Sequence, residues 1–549
     1  MRHFCFLFLF LFSLACFSQV TVNITLNPSD TGKTIPSDFA GLSFEKNCLN
    51  RGYFGPADDT LIQLFRTCGI KSMRVGANAV DRDQLSTVAD SDHFTRGELD
   101  DLFHFADSAG CKVLLGLNLK DYNFPLADSE AVYVIKNYDS LLFGFEVGNE
   151  PDLYFRDTLH YKSYTLTDYE NDYRSYYDTI RRHNPTAVFT GPGCASAFTE
   201  WTEPFRKHMD TLKYFSMLTQ HYYGGDTNAK TIPVQIDSLL SKHKLRHVSK
   251  EVDSLVKCAD SILFRMSECN SWDHGGKKGV SDAFASALWV LDYMYALADK
   301  GCAGVNFHGG LDGEYTVFSK KNNIYHARPI AYGILAFQIG SKGRFISSKV
   351  IKTDSINLES YSVIDSIKSI CTTIINKETD TSKYAVINLV AGDTHYRSAE
   401  YVQLSSDSLG DTDTVTLGGQ VVNSKGIISP YNWKSLPVVT NTTQIRVRGG
   451  SAVVIRFHPK IGNSINDYSG KNKHFLNLYP NPVSEKVTIS TDMTGHSVIS
   501  IYNLQGQILL QQQVQQGKTD IDISELAKGV YIVRLTCNAG AEAGRIIKE

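Results

Sequence analysis

The chain has 549 residues, 42% of them hydrophobic and 21% charged, with a formal net charge of -3. That composition suits a globular protein of two or three domains and excludes disordered and fibrous classes. So small a net charge provides no global field to recruit nucleic acid or an anionic membrane, and an acidic ligand would have to be recognised by local groups.

The first residues, MRHFCFLFLFLFSLACFSQ, join a short basic start, an apolar run and a small-residue exit. Residues 1–18 read as a secretory signal peptide, too short for a membrane span, with cleavage expected after Ser18. Lipidation at Cys16 is the alternative, although Ser13 stands where such signals usually carry Leu. No later apolar run reaches the roughly 18 residues of a membrane helix, so no transmembrane segment is expected. Two of the eleven cysteines lie in this leader, and the other nine show no CxxC or Cys/His ligand spacing. Neither a disulfide scaffold nor a zinc site is expected.

From about Phe39 to Gly310, eight short β-like runs alternate with helical patterns. They are GLSFE (41–45), KSMRVGAN (71–78), KVLLGLN (112–118), FGFEVGNE (143–150), AVFTGPG (187–193), YFSMLTQHYY (214–223), FRMSEC (264–269) and AGVNFH (303–308). Strands alternating with helices predict a parallel sheet, and eight units of this size fit a (β/α)₈ TIM barrel over 37–324. One helix is predicted from Ser281, as its cap, to about Lys300. Phe284, Leu288, Leu291 and Tyr295 form its apolar stripe and Gly301 its stop.

After Ile324 the runs become short and alternating, as in SYSVIDS, YAVINLVA and QIRVRGGSAVVIRF. They predict an antiparallel β-sandwich over 325–460, to which VTVNITLN in 19–36 could add a strand. The polar stretch 461–473 reads as a linker, and 474–549 as a small β-sandwich.

Two acids stand at the ends of barrel runs. Glu150 closes the fourth and precedes Pro151, which lacks the N–H needed to extend the ladder. Glu268 closes the seventh, in FRMSECNSWDHGG. Active sites of such barrels lie at the C-terminal ends of the strands. A pair of carboxylates there is what glycoside hydrolysis requires, one to protonate the leaving oxygen and one to attack the anomeric carbon or activate water. Either acid alone also reads as a loop or paired structural group.

FEVGNEPDLY, with MSECNSWDHGG and GVNFHGG, resembles glycoside hydrolase family 79, the group of β-glucuronidases and heparanases, over roughly residues 25–458. The resemblance implies a retaining enzyme without cofactor or metal, acting on a carbohydrate substrate. Glu150 maps to the general acid/base, with a raised pKa, and Glu268 to the nucleophile, the carboxyls about 5–5.5 Å apart. Asn149 would hold the sugar 2-hydroxyl and Glu45 another hydroxyl. Tyr222 or Tyr223 would bond the nucleophile, depending on the register of strand six; Tyr223 is the residue selected. His308 could line the pocket. For a uronic acid carboxylate, the resemblance offers the backbone of Gly275 and Gly276 and the hydroxyl of Tyr315. SWDHGG departs from the family's pattern, because an ionised Asp273 facing the pocket would repel a carboxylate unless it points away or is itself paired; Lys277 and Lys278 could compensate.

YPNP at 479–482, followed by GVYIVRL at 529–535, resembles the C-terminal sorting domain of type IX secretion. It implies engagement of that machinery and a secreted or surface location. The expectation is a secreted retaining β-glycosidase, foremost a β-glucuronidase. The alternatives are a different sugar specificity on the same scaffold and an inactive glycan-binding surface protein.

Overall fold

A computed structural model describes residues 19–549 apart from 56–58, 121–122, 156–162, 211–213, 226–230, 312, 393–395, 460–475, 492–496, 504–506, 515–516 and 538–539. The signal peptide and linker expectations lie outside the described residues. Residues 1–460 and 461–549 form two separate compact units.

Eight parallel strands close a barrel in the first unit: β1 Ala40–Glu45, β2 Ser72–Gly76, β3 Lys112–Leu117, β4 Leu142–Val147, β5 Phe189–Cys194, β6 Met217–Tyr223, β7 Leu263–Asn270 and β8 Val305–His308. All residues of β2 and β5 are buried. Helices cover one face and packed side chains fill the other, so these strands read as continuous apolar runs without alternation.

The helix following β7 is Phe284–Lys300, and Ser281 does not cap it. Its hydroxyl instead accepts the Lys277 amide at 2.9 Å. The first helical amides, Phe284 and Ala285, donate to the carbonyls of Asp411 and Leu409 at 2.8 and 2.9 Å. Those carbonyls do the work of a cap. Gly301, at φ +90°, ends the helix as expected. Every residue from Phe284 to Ala298 is buried, because the helix is covered on several sides. Tyr295 stacks on Tyr361 of the following sheet at 4.9 Å, and Asp292 pairs with Lys377 and accepts from the Tyr361 hydroxyl at 2.7 Å.

After the short strand Ile324–Ala327, the segment 325–460 continues with a further helix, Pro329–Gly340, and strands resume at Arg344. This helix is apolar on nearly all sides, so no periodic stripe separates it from a strand-rich context. Nine strands beyond it, with Gln19–Thr34 as the tenth, form one open ten-stranded sheet packed around its own core. The segment Gln19–Thr34 lies inside this ladder, antiparallel to Arg344–Lys352 and parallel to Tyr384–Val390. Val20, Val22, Ile24 and Leu26 alternate into the core, as a strand with one buried face must.

The second unit packs a three-stranded and a four-stranded antiparallel sheet around Val487, Ile489, Ile499, Ile521, Val533 and Ile546. Among the described residues, no helix is long and apolar enough to cross a membrane, and the eight cysteines from Cys48 to Cys371 carry free thiols.

Candidate active site

The acids of β4 and β7 meet at the C-terminal end of the barrel. β4 stops at Val147, and Glu150 takes a left-handed conformation with φ +50° before the turn Pro151–Leu153. That conformation costs a non-glycine residue about 1–3 kcal/mol. It is held by the Glu150 amide, which donates to the Gly193 carbonyl at 3.0 Å. Oxygens of Glu150 and Glu268 and a ring nitrogen of His221 all lie within 4.8 Å of one another. This proximity allows the close carboxyl pair that a double displacement requires.

The two acids have different surroundings. Glu268 is buried. Its Oε2 accepts from Arg74 Nη1 at 2.5 Å and its Oε1 from the Tyr223 hydroxyl at 2.6 Å. Burial opposes its ionisation, but the charges of His308, His221 and Arg74, with the Tyr223 hydrogen bond, outweigh that and hold the carboxyl well below the usual range. Glu150 is more open, and its Oε1 lies 2.9 Å from His221 Nδ1. One buried ionised acid beside one more accessible acid can divide nucleophilic attack from proton transfer.

Arg74 organises the cluster. Its Nη2 donates to Asn149 Oδ1 at 2.8 Å and its Nε to Glu146 Oε2 at 2.6 Å. Asn149 Nδ2 donates to Asn78 at 3.3 Å, and its backbone amide to the Tyr154 hydroxyl at 3.1 Å, so the side chain is fixed. Tyr222 turns away from the acids and stacks on Tyr293 at 5.8 Å, which leaves Tyr223 on Glu268.

The remaining candidates are linked to the same cluster. Glu45 Oε2 accepts from the Ala79 amide at 2.7 Å, and Glu45 Oε1 lies 3.6 Å from His308 Nε2. The Tyr315 ring meets Tyr223 edge-on at 6.5 Å and lies 6.0 Å from the His308 ring. Gly275 and Gly276, at φ +88° and +90°, run against Tyr315. A Cβ on Gly276 would stand 2.7–2.8 Å from Tyr315 atoms, so glycine is required there. Asp273 is paired with His274 Nδ1 at 3.2 Å. Lys278 is exposed and Lys277 half-buried.

Sequence reasoning missed Arg74, Glu146 and the place of His221. A lone charged residue within a short apolar strand was the available signal for the first two. Glu150, His221 and Glu268 are close enough to reach one cation. However, Glu268 already has hydrogen-bonded partners on both oxygens, one of them the Arg74 cation, which disfavours a second positive charge.

Residues 477–549 match the family described as the secretion system C-terminal sorting domain. The chain carries that domain, which directs export by type IX secretion to the surface or beyond. Among curated proteins, a β-glucuronidase of Aspergillus niger is 23% identical over 189 residues. The match covers 31% of this chain and spans about a third, 35%, of the relative. Among solved structures, a 4-O-α-L-rhamnosyl-β-D-glucuronidase from Fusarium oxysporum superposes with a TM-score of 0.67 at 17% identity, covering 79% of this chain and 99% of that one. A family 51 arabinofuranosidase from Xanthomonas axonopodis pv. citri gives 0.62 at 12% identity, covering 80% and 100%. The fold is that of the TIM-barrel glycosidases.

Proposed function

We propose that this chain is an exported retaining β-glycosidase, and specifically a β-glucuronidase of glycoside hydrolase family 79 type. One observation carries the reading: Glu150 and Glu268 meet at the barrel mouth, with Glu268 held ionised by Arg74 and Tyr223. In this mechanism Glu268 attacks the anomeric carbon while Glu150 protonates the departing oxygen. A covalent glycosyl ester forms on Glu268. Glu150 then takes a proton from water, which cleaves the ester with net retention. Asn149, fixed by Arg74, bonds the 2-hydroxyl as the transition state develops.

Two observations support a uronic acid at the scissile position. The Gly275–Gly276 backbone can approach a C6 carboxylate closely, and Tyr315 stands beside it. The similarity to two glucuronidases points the same way. Carbohydrate is thus the proposed partner of the barrel.

The test is hydrolysis of 4-nitrophenyl β-D-glucuronide beside the matching glucoside and galactoside, with Glu268→Gln as control. Turnover of the glucuronide, absent in the variant, is expected. Cleavage of a neutral glycoside alone would move the specificity elsewhere on the scaffold. No turnover of any aryl or polymeric glycoside would refute the enzyme reading in favour of a glycan binder.

A further inference from the structure

We propose that Glu146 is a positioning residue, a fixed counter-charge that keeps Arg74 aligned and neutralised while Glu268 passes between carboxylate and ester. The inference rests on the reading of Glu268 as nucleophile. Glu146 lies on β4, one residue before its end, with no exposed surface. Arg74 Nε donates to its Oε2 at 2.6 Å. Thr219 of β6 and Ser267 of β7 donate to its Oε1 at 2.8 and 3.2 Å. Gly193 of β5 leaves the space behind it, since a Cβ there would stand 3.1 Å from the Glu146 carboxyl carbon. Four strands thus surround this acid.

The need for such a charge follows from the chemistry. Arg74 is buried and bonds Glu146, Glu268 and Asn149 through three different nitrogens. When Glu268 becomes an ester its charge disappears. Without Glu146, Arg74 would then be an unpaired buried cation, beside a sugar that itself turns cationic in both transition states. Glu146 cancels that charge in every state and, through the rigid guanidinium fork, holds Asn149 and Glu268 in one plane of reference.

The deciding variant is Glu146→Gln, which keeps the size and most hydrogen bonds but removes the charge. The groups facing Glu268 are Arg74, Tyr223, His221 and His308, with Tyr315, Glu45 and Glu150 nearby. Tyr169 and Tyr173, from the helix Leu166–His183, feel the charge of Glu146. Removing that charge leaves Arg74 wholly to Glu268, so ionisation of Glu268 moves to lower pH. We expect kcat on the aryl glycoside to fall about 100-fold with little change in KM, and the acid limb of kcat/KM to move down. Glu146→Asp, which retains the charge, should hold the limb near wild type. A second readout requires no turnover: 13C NMR titration of glutamate-labelled protein, with Glu268→Gln to assign the signal. If wild type cleaves no glycoside, the functional reading fails and this one with it, whereas an unmoved titration beside an active wild type fails this one alone. An unmoved Glu268 titration in Glu146→Gln, or equal losses in the Gln and Asp variants with unmoved limbs, would overturn the proposal.

Discussion

Tyr223→Phe isolates one hydrogen bond of the proposed mechanism. The hydroxyl lies 2.6 Å from Glu268 Oε1, on a carboxylate that is only 3% exposed, so water cannot readily replace it. A hydrogen bond to a charged group contributes about 1.5–3 kcal/mol. The bond exists already in the free enzyme, so its loss acts by letting the carboxylate turn out of line, and misalignment of that kind costs kcat/KM roughly 10- to 100-fold. Arg74 remains on the other oxygen, so activity should not vanish. The sign of the pH effect is also determined. The bond favours the ionised form of Glu268, so its removal raises the carboxyl pKa and moves the acid limb of kcat/KM to higher pH. Tyr222→Phe serves as comparison, because that ring stacks on Tyr293 and does not bond Glu268. The assay is kcat/KM for 4-nitrophenyl β-D-glucuronide across pH in both variants. A Tyr223→Phe enzyme within twofold of wild type, with an unmoved acid limb, would refute the reasoning.

Glu150→Ala should lower turnover about 10²- to 10⁴-fold, and added azide should restore it with formation of a β-glycosyl azide; product NMR checks this, and no azide adduct would remove Glu150 from acid/base duty. Gly276→Ala, at φ +90° and against Tyr315, should displace that ring and raise KM for the glucuronide about tenfold; a KM within twofold of wild type would exclude this loop from carboxylate recognition. Lys377→Met leaves Asp292 buried without its ion pair, and urea unfolding should show a loss of about 3–5 kcal/mol that Asp292→Leu in the same chain largely restores. Burial lowers the His308 pKa, but Glu268 and Glu45 outweigh it and raise the value above normal. The stability from its protonated form is therefore complete below about pH 6.5 and is lost as pH rises through the higher folded value. The Tm difference between wild type and His308→Gln should shrink from pH 6 to pH 9, and a constant difference would contradict that account.

The barrel was legible because its strands are short, apolar and separated by helical spacing, and because Glu150 and Glu268 interrupt that pattern at strand ends. Pro151 marks the interruption at the first, the Gly275–Gly276 pair the second. Arg74 and Glu146 were not legible for the opposite reason. Each sits inside a strand, and its purpose lies in partners brought in by closure of the barrel; Arg74 and Glu268 are 194 residues apart. Tyr223 could not be separated from Tyr222 without the register of β6. The helix Pro329–Gly340 escaped notice because burial on most sides erases the amphipathic period. Ser281 was misread because carbonyls of Leu409 and Asp411, contributed by a distant loop, already satisfy the helix start.

The strand Gln19–Thr34 gives the first unit a lock that closes late. Thr21 bonds Thr353, 332 residues further along, and the strand also pairs with Tyr384–Val390. Two unequal parts of one ladder, the pair Tyr384–Val390 and Thr442–Arg448 on one side and seven strands on the other, therefore wait with unpaired edges for a segment seated only when its neighbours exist. Such long-range pairing is slow to form. Loss of this segment would part a two-stranded piece from the rest of the sheet, leaving two adhesive edges where an outer strand would have left one.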